Sequence, residues 1–312
     1  MQVVAINDLG NIENLAYLFK YDSVYGTYKG DILVSGSTLI VDGHTIQFLQ
    51  ERDATKLPWG TMNIDVVLEC TGVFESFEQA NIHIISGAKH VIISAPAKDA
   101  DGVCNGKTVL MGINDSDIKK YPITSNASCT TNASAPVIQI MNETVGVEKA
   151  ILNTVHAYTA TQNIVDGPTK GSDYRRGRAG AFNISPSTTG AALAVSRVVK
   201  ELEGKFDGVA MRVPTISGSA ADITFISKRS TTVQEINDIL LNASKIERWN
   251  GILGVTNEQL VSSDILGMQY GAIVDLGFTK VVDGNLVKVL SWYDNEAGYV
   301  STLIKHAKKV LE

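Results

Sequence analysis

Cys129 stands in a cluster of small polar residues, Ser-Asn-Ala-Ser-Cys-Thr-Thr-Asn at 125–132, between a strand predicted at 121–124 and a predicted helix start. Unpaired N–H groups and the dipole at a helix N-terminus favour an anion, so a thiol there shifts towards its thiolate. On composition alone a buried structural cysteine is the commoner case, and that interpretation suits Cys70, inside an apolar strand. The polar neighbours of Cys129 favour a nucleophile instead, with a pKa below the usual value of about 8.5.

His156 lies in a strand predicted over 149–158, on the face opposite Val155. A single histidine in a strand is usually a core residue with satisfied hydrogen bonds. Together with a cysteine in polar surroundings it becomes a candidate base that activates the thiol. Neither residue belongs to a set with metal-ligand spacing, so the sequence predicts no metal site.

Two further segments offer groups that could hold an anionic substrate. Ser-Thr-Thr-Gly at 187–190 opens a helix predicted over 187–203, and a helix N-terminus with hydroxyl groups binds anions. Positive charge comes from Arg212 and from Arg175, Arg176 and Arg178 in the glycine- and arginine-rich loop at 162–183. For Arg175 and Arg178 the simpler interpretation is kept, namely a solvated surface or a subunit contact.

The residues up to about 128 show the alternation of strands and helices that is typical of an α/β domain. Apolar runs predict strands at 3–6, 65–70 and 90–95, with a helix at 76–86 that Gly87 ends. The order strand, helix, strand favours parallel pairing. Residues 27–50 predict a small hairpin excursion, with Asp42-Gly43 as its tight turn.

After residue 128, strands gather around helices, and Asp283-Gly284 marks a second hairpin. This order predicts an α+β unit with a mixed or antiparallel sheet. Thr232 is expected to open a further helix through a capping box. We therefore predict one domain at 1–128 and another at 129–294. The C-terminal helix within 295–312 is expected to fold back and complete the first domain.

Composition excludes several classes of function. A hydrophobic content of 44% with 19% charged residues is ordinary for a globular protein, and 312 residues suffice for two cores. The net charge of −6 disfavours a nucleic-acid or anionic-membrane surface. Three cysteines, no basic-then-apolar leader and no bilayer-length apolar run predict a cytoplasmic protein without disulfides.

Four motifs in this order resemble one enzyme family over essentially the whole chain. They are Ser-Asn-Ala-Ser-Cys-Thr-Thr-Asn at 125–132, His-Ala-Tyr-Thr-Ala-Thr-Gln at 156–162, Arg-Val-Pro-Thr at 212–215 and Ser-Trp-Tyr-Asp-Asn-Glu at 291–296. The family is phosphorylating glyceraldehyde-3-phosphate dehydrogenase. The resemblance implies a Rossmann-like NAD-binding domain followed by a mixed-sheet catalytic domain, and the oxidation of glyceraldehyde 3-phosphate to 1,3-bisphosphoglycerate in glycolysis or gluconeogenesis.

The resemblance also implies a role for each candidate residue. Cys129 would form a thiohemiacetal with the aldehyde, and His156 would take the hydroxyl proton as hydride leaves for the nicotinamide. Inorganic phosphate would then attack the thioester. One implied anion site uses Thr159 and Arg212. The other is implied to use Ser128, Thr130, Thr189 and Gly190, with Arg176 nearby.

NAD is the implied cofactor. Asp8, after the first predicted strand, would bind the adenosine ribose, and its carboxylate disfavours the 2′-phosphate of NADP. Asn295 would hold the nicotinamide carboxamide, with Tyr299 close by. The crevice at the strand ends would be lined by Arg52, Thr71, Gly72 and Ser94. The arginine-rich loop resembles the subunit-facing loop of the family and implies a homotetramer.

One segment of the family's cofactor-binding domain is expected to be missing from this sequence. No Gly-x-Gly-x-x-Gly occurs in the 312 residues, so the first strand, the phosphate-binding loop and the first helix are expected to be absent. That strand is central in the usual order. Burial of its three or four aliphatic residues would contribute roughly 5–12 kcal/mol, against a net domain stability of about 5–15 kcal/mol.

Several alternatives therefore stay open. The sequence is either a fragment or mis-started reading frame of an ordinary dehydrogenase, or a genuinely shortened protein. A shortened protein would keep only NAD-independent thiol chemistry at Cys129 or a non-enzymatic role. Within the enzyme class, erythrose 4-phosphate remains a possible substrate, because erythrose-4-phosphate dehydrogenases share the same cysteine, histidine and phosphate-site logic.

Overall fold

Ten strands and two helices build residues 1–128 of the computed structural model, which describes residues 1–169 and 171–312. The strands are β1 (Ala5–Asn7), β2 (Tyr21–Asp22), β3 (Gly26–Thr27), β4 (Ile32–Ser35), β5 (Thr38–Val41), β6 (His44–Leu49), β7 (Val66–Glu69), β8 (His90–Ile93), β9 (Gly106–Thr108) and β10 (Ile123–Ser125). The helices are α1 (Ile12–Lys20) and α2 (Phe77–Ile85).

These strands form two four-stranded sheets and a small ribbon of β2 and β3. The first sheet has the order β1-β6-β5-β4 and is parallel only between β1 and β6. The second has the order β7-β8-β10-β9 and is parallel throughout. No strand of the described residues pairs with the outer edges of β1 and β7. The parallel strand–helix–strand unit predicted at 65–95 is confirmed.

Local sequence signals explain these elements. The Ser76 hydroxyl caps α2 by accepting a hydrogen bond from the N–H of Gln79 at 3.1 Å, which satisfies a donor that the helix leaves free. Asp42 and Gly43 have φ values of 49° and 78° between β5 and β6. Positive φ at both positions is the geometry of the tight hairpin turn predicted there.

Residues 129–296 contain one seven-stranded sheet with the order β12-β13-β11-β14-β17-β16-β15. Its strands are β11 (Val147–Ala157), β12 (Ser185–Thr188), β13 (Phe206–Val213), β14 (Ser219–Ser227), β15 (Leu253–Thr256), β16 (Ala272–Val282) and β17 (Leu286–Tyr293). The remaining helices are α3 (Cys129–Thr144), α4 (Ala191–Val198), α5 (Val233–Ala243) and α6 (Ala297–Leu311). Parallel pairs (β11 with β13, β15 with β16) and antiparallel pairs coexist, so the predicted mixed sheet is confirmed.

The largest apolar core lies between this sheet and the helices α3, α4 and α5. Ile138 of α3, Leu152 of β11, Phe225 of β14 and Val289 of β17 are all at most 1% exposed. Each such side chain contributes about 1.5–3 kcal/mol through burial. The core therefore fixes the strands that carry the candidate catalytic residues.

The C-terminal helix α6 packs against the second sheet of residues 1–128. Leu303 and Ala307 form a buried cluster with Ile92 of β8. In the same contact, the Thr124 hydroxyl lies 3.0 Å from Nε2 of His90 and 2.9 Å from Nε2 of His306. No helix among the described residues is long and apolar enough to span a membrane.

Two predictions about local structure were wrong. The helix predicted over 187–203 is shorter, because residues 185–188 pair as the edge strand β12 with β13 and the helix spans only 191–198. An edge strand tolerates Pro186, which lacks an N–H. Cys70 is exposed rather than buried, since β7 ends at Glu69 and the cysteine lies beyond it.

Candidate active site

Cys129 is the first residue of α3, and the backbone before it is held in an unusual conformation. Ala127 is buried and has a φ of 54°, which costs a non-glycine residue about 1–3 kcal/mol. Its N–H donates to the Ser125 hydroxyl at 3.1 Å, and its carbonyl oxygen accepts from the Tyr299 hydroxyl at 3.0 Å. Ser128 caps the helix by accepting from the N–H of Thr131 at 3.1 Å. The thiol is thus placed at the helix N-terminus, as predicted.

His156 comes from β11 and meets the thiol directly. Its Nε2 lies 3.5 Å from Sγ of Cys129, and the ring is 4% exposed. Its Nδ1 lies 2.7 Å from the carbonyl oxygen of Ala157. With the ring proton on Nδ1, the ring donates to that oxygen, and Nε2 is left as an acceptor for the thiol proton. This is the arrangement of a nucleophile and its base.

Arg212 lies on the other side of the imidazole. Its Nη1 lies 2.6 Å from Nδ1 of His156, and because both nitrogens are then donors, they share one acceptor, the carbonyl oxygen of Ala157, to which Nη1 donates at 3.2 Å. The contact follows from the sheet, because His156 of β11 and Arg212 of β13 are register partners on neighbouring parallel strands. One guanidinium therefore reaches the ring that faces the thiol.

The surroundings favour the neutral forms of both groups. Burial, followed by the positive charge of Arg212, lowers the pKa of His156 to about 4. Burial raises the pKa of Cys129 and outweighs the N–H and hydroxyl of Thr130 and the charge of Arg212, which lower it. The expectation of a lowered thiol pKa was therefore wrong, because desolvation penalises the thiolate more than the helix terminus favours it. The neutral imidazole is consequently needed to remove the thiol proton.

A small cavity next to Arg212 is lined by three cations, Arg175, Arg176 and Arg212, and by several polar groups. Arg176 donates to the Thr161 hydroxyl at 3.1 Å and to the Ser187 hydroxyl at 3.3 Å. The Thr159 hydroxyl lies 2.9 Å from that of Thr161. The structure thus gathers Arg176 and Arg212 around a site that can bind an anion, and Thr159 contacts this site through Thr161.

The second set of predicted anion-binding residues lies at two helix starts. The Ser128 hydroxyl accepts from the N–H of Thr131 as the cap of α3, and the Thr130 hydroxyl lies 2.8 Å from that of Tyr293. Thr189 accepts from the N–H of Ala191 at 3.2 Å, and Gly190 is the N-cap of α4. A Cβ at Gly190 would meet nothing within 4 Å. The space above the start of α4 is therefore open.

The predicted cofactor residues fall into two groups. Asp8, Arg52 and Thr71 line one trench between the two sheets of residues 1–128, and Ser94 directly follows β8. These positions are at the carboxyl ends of parallel strands, where ligands of open α/β sheets bind. Asn295 and Tyr299 lie at the start of α6, next to the segment that leads into Cys129.

Sequence reasoning missed the side chains that hold these residues. The oxygen of Asn295 accepts from the Ser219 hydroxyl at 2.8 Å and from that of Ser217 at 3.4 Å, which leaves its NH₂ group to face a ligand. The buried Tyr293 hydroxyl joins Thr130 to Thr154, with 2.8 Å to each. These partners are separated by many residues in sequence, and no local pattern signals them.

A buried series of hydrogen bonds behind Thr71 was also missed. Trp59 donates from its indole N–H to Nδ1 of His83 at 3.1 Å, so the ring proton of His83 is on Nε2. That nitrogen donates to Oε2 of Glu69 at 2.9 Å, and Oε1 accepts from the N–H of Thr71 at 2.7 Å and from its hydroxyl. This series of hydrogen bonds fixes the turn at Thr71. The described residues hold no group of three or more His, Cys, Asp or Glu side chains able to bind a metal.

Comparison with known protein families gives matches in both parts of the chain. The family model "Glyceraldehyde 3-phosphate dehydrogenase, NAD binding domain" matches residues 1–77, and the corresponding C-terminal domain model matches residues 128–295. A glyceraldehyde-3-phosphate dehydrogenase of Clostridium pasteurianum is 44% identical over 309 residues, or 98% of this chain and 90% of that protein. One of Priestia megaterium is 45% identical over 312 residues (99% and 91%). One of Kluyveromyces lactis is 43% identical over 310 residues (98% and 92%).

Proposed function

Since the chain belongs to the glyceraldehyde-3-phosphate dehydrogenase family, we propose that it catalyses the NAD-dependent oxidation of glyceraldehyde 3-phosphate to 1,3-bisphosphoglycerate, with inorganic phosphate as the acyl acceptor. One observation carries the proposal, namely Sγ of Cys129 at 3.5 Å from Nε2 of the neutral His156, beside a cavity lined by Arg176 and Arg212. A thiol with a base, next to a cavity that carries guanidinium groups, suits acyl transfer to and from phosphorylated substrates.

The residues would act in the following order. Sγ of Cys129 adds to the aldehyde carbon while Nε2 of His156 takes the thiol proton, which passes to the oxygen of the thiohemiacetal. Nε2 takes this proton back as the carbon is oxidised to the thioester. Phosphate then attacks the thioester carbonyl and releases the thiolate of Cys129. Arg176 and Arg212 bind the phosphate groups of the substrate and of the acceptor, with Thr159 beside them.

The second group of anion-binding residues would complete these sites. Ser128 and Thr130 start α3, and Thr189 and Gly190 start α4, which packs against α3. Two neighbouring helix N-termini offer free N–H groups to an anion. We assign one phosphate group to this pair of helix starts, with Arg176 nearby, and the other to Thr159 and Arg212.

The residues present fit NAD, which supplies the hydride acceptor when bound. Asn295, whose oxygen is held by Ser219, would direct its NH₂ group to the nicotinamide carboxamide, with Tyr299 nearby. Asp8 would accept the adenosine ribose hydroxyls. The strand-end positions of the crevice would be those of Arg52, Thr71 and Ser94.

The domain organisation and the assembly state belong to the same proposal. Residues 1–128 with 295–312 would form the cofactor unit and 129–294 the catalytic unit, in line with the packing of α6 on β8. A homotetramer would bury apolar side chains in and next to the arginine-rich loop, since Ile164, Phe182 and Ile184 are 87%, 84% and 71% exposed. Exposed apolar side chains at this density mark an interaction surface.

The test is NADH formation from glyceraldehyde 3-phosphate with NAD and phosphate. Cys129→Ser should abolish it, whereas the matched variant Cys104→Ser, at an exposed thiol, should keep the parent rate. Erythrose 4-phosphate is the competing substrate. Faster turnover of erythrose 4-phosphate, full turnover without phosphate, or activity retained in Cys129→Ser would contradict the proposal.

A further inference from the structure

Three residues on one face of α6 contact the segment that leads into the nucleophilic thiol. Tyr299, Thr302 and His306 are spaced by three and four positions, so they project from the same side of the helix. The Tyr299 hydroxyl donates to the carbonyl oxygen of Ala127 at 3.0 Å. Thr302 and His306 both contact the side chain of Asn126. The C-terminal helix is thus attached directly to the start of α3.

These hydrogen bonds have a fixed direction, because they begin at a group that can only accept. The carbonyl oxygen of Tyr299 accepts from the Thr302 hydroxyl at 2.8 Å, which uses the one proton of that hydroxyl. The Thr302 oxygen must then accept from the NH₂ group of Asn126, at 3.2 Å. The carboxamide oxygen of Asn126 therefore faces Nδ1 of His306, at 3.1 Å. That nitrogen must carry the ring proton in order to donate.

The proton position on His306 extends the same order to the neighbouring strands. Burial lowers the pKa of His306 to about 3, so the ring is neutral at about pH 7 and its Nε2 carries no proton. Nε2 accepts from the Thr124 hydroxyl at 2.9 Å, and the Thr124 oxygen accepts from Nε2 of His90 at 3.0 Å. Thr124, Asn126 and His306 are all 0% exposed. A bond lost by mutation is therefore not replaced by bulk water.

Asn126 connects these hydrogen bonds to the thiol through the main chain. Its carbonyl oxygen accepts from the Asn132 side chain at 2.9 Å, so both its backbone and its carboxamide are held. The next residue is Ala127, which is buried with a φ of 54°. A non-glycine residue persists in this conformation only where its surroundings determine it. The contact of Asn126 with His306 is part of those surroundings.

We propose that His306 is a positioning residue that keeps Cys129 in place for attack. Its Nδ1–H holds the Asn126 carboxamide, and this contact fixes the left-handed turn at Ala127. The turn keeps Sγ of Cys129 within reach of the His156 imidazole. The inference rests on the proposed role of Cys129 as the nucleophile and adds a residue that acts through the main chain.

Two substitutions of His306 separate the two sides of its ring. Asparagine places its NH₂ group near the position of Nδ1 and can keep the bond to Asn126, whereas glutamine places its amide near the position of Nε2 and reaches Thr124 instead. His306→Gln should lower kcat and the rate of Cys129 alkylation by iodoacetamide by about tenfold or more, since misplacement by about 1 Å costs on the order of 10²-fold. His306→Asn should restore most of both rates. KM for NAD and for the sugar phosphate should change far less than kcat.

Leu303→Ala is the matched control for stability. Leu303 packs the same helix on Ile92, so its truncation should destabilise the fold and leave both rates at the parent values. Mass spectrometry of the peptide that contains Cys129 reads its alkylation apart from the other free cysteines. Equal rates in the parent and His306→Gln, or an equal loss in His306→Gln and Leu303→Ala, would overturn the positioning role. Activity retained in Cys129→Ser would instead contradict the proposed function.

The unaltered chain gives an independent measurement. Nitrogen-15 chemical shifts of the five histidines distinguish protonated from unprotonated imidazole nitrogens. At about pH 7, His306 should carry its proton on Nδ1 and His90 on Nε2. A proton on Nε2 of His306 would leave Asn126 without its donor and would overturn the proposal, whether or not the variants fold.

Discussion

Sγ of Cys129 lies 3.5 Å from Nε2 of His156, and the two residues are contributed by the start of α3 and the middle of the seven-stranded sheet. Each environment disfavours a charge, since burial raises the pKa of the thiol and lowers that of the imidazole. Proton transfer between them is therefore coupled to attack on the substrate rather than completed beforehand.

His156→Asn should slow formation of the acyl enzyme by about 10²–10⁴-fold, the usual contribution of a positioned base. Cys129 should remain open to alkylation by iodoacetamide, although more slowly, because the thiol keeps its place on α3. Rapid-mixing measurement of the first NADH turnover gives the rate. His44→Asn, at an exposed histidine, is the control, and an unchanged rate in His156→Asn would show that the pair is structural.

Arg212→Gln should change substrate affinity and pH dependence together. Loss of the guanidinium should raise KM for the sugar phosphate, and should also raise the pKa of His156, because the charge of Arg212 lowers it. The acidic limb of the kcat/KM profile should then move to higher pH. Arg178→Gln, whose side chain is exposed and bonded to Asp166, should leave both unchanged. A higher KM without a shift of the acidic limb would show that Arg212 does not affect the pKa of His156.

Elements fixed by local chemistry were predictable from the sequence. The helix start near Ser76, the Asp42-Gly43 turn and the helix start at Thr232, whose hydroxyl accepts from the N–H of Glu235 at 3.2 Å, all depend on residues a few positions apart. The expected capping box at Thr232 is formed only in this half, because the Glu235 carboxylate accepts from Arg229 and Thr231 instead. The placing of Cys129 at a helix start was predictable for the same reason, since Ser128 caps the helix.

Features that depend on distant parts of the chain were not predictable. Residues 185–188 form a strand because β13 offers a partner edge, which overrides a helical pattern. The direction of the thiol pKa shift depends on how deeply the folded chain buries Sγ, and the sequence does not state that. The sequence identifies Arg212 as a candidate cation, but its contact with His156 follows from the register of β11 and β13.

Acid should destabilise the protein through its buried histidines. Burial lowers the pKa of His90 and of His156 to about 4, and that of His306 to about 3, against about 6.5 in the unfolded chain. A histidine whose pKa is lowered by folding contributes stability that is fully present at pH values above its pKa in the unfolded chain. This contribution is lost as pH falls from about 6.5 to about 4. Each group then removes about 3 kcal/mol from the free energy of unfolding.

Urea unfolding at a series of pH values measures this loss. His306→Gln should reduce the slope of unfolding free energy against pH by about 1.4 kcal/mol per pH unit in that window, whatever its effect on overall stability. His44→Asn should leave the slope unchanged. An unchanged slope in His306→Gln would show that this histidine is not held neutral on Thr124 and Asn126.

Glu69→Gln should destabilise the protein because it replaces an acceptor by a donor. The proton positions of the hydrogen bonds around residue 69 are fixed, so they cannot adapt to this change. Trp59 donates to Nδ1 of His83, so Nε2 must donate to residue 69. The new NH₂ group would face this donor if its oxygen kept the bonds to Thr71. Leaving a buried donor unpaired costs about 1–3 kcal/mol, measurable by urea unfolding. Glu75→Gln, at a carboxylate paired only with the exposed Lys98, is the control with little expected effect.

A second variant distinguishes this mechanism from simple loss of the Glu69 charge. In a Trp59→Phe background, the proton of His83 is free to move to Nδ1, and Nε2 can then accept from the introduced amide. The added cost of Glu69→Gln should therefore be smaller in that background than in the parent, which a double-mutant cycle measures. Equal costs in the two backgrounds would mean that the Trp59 contact does not set the proton position on His83.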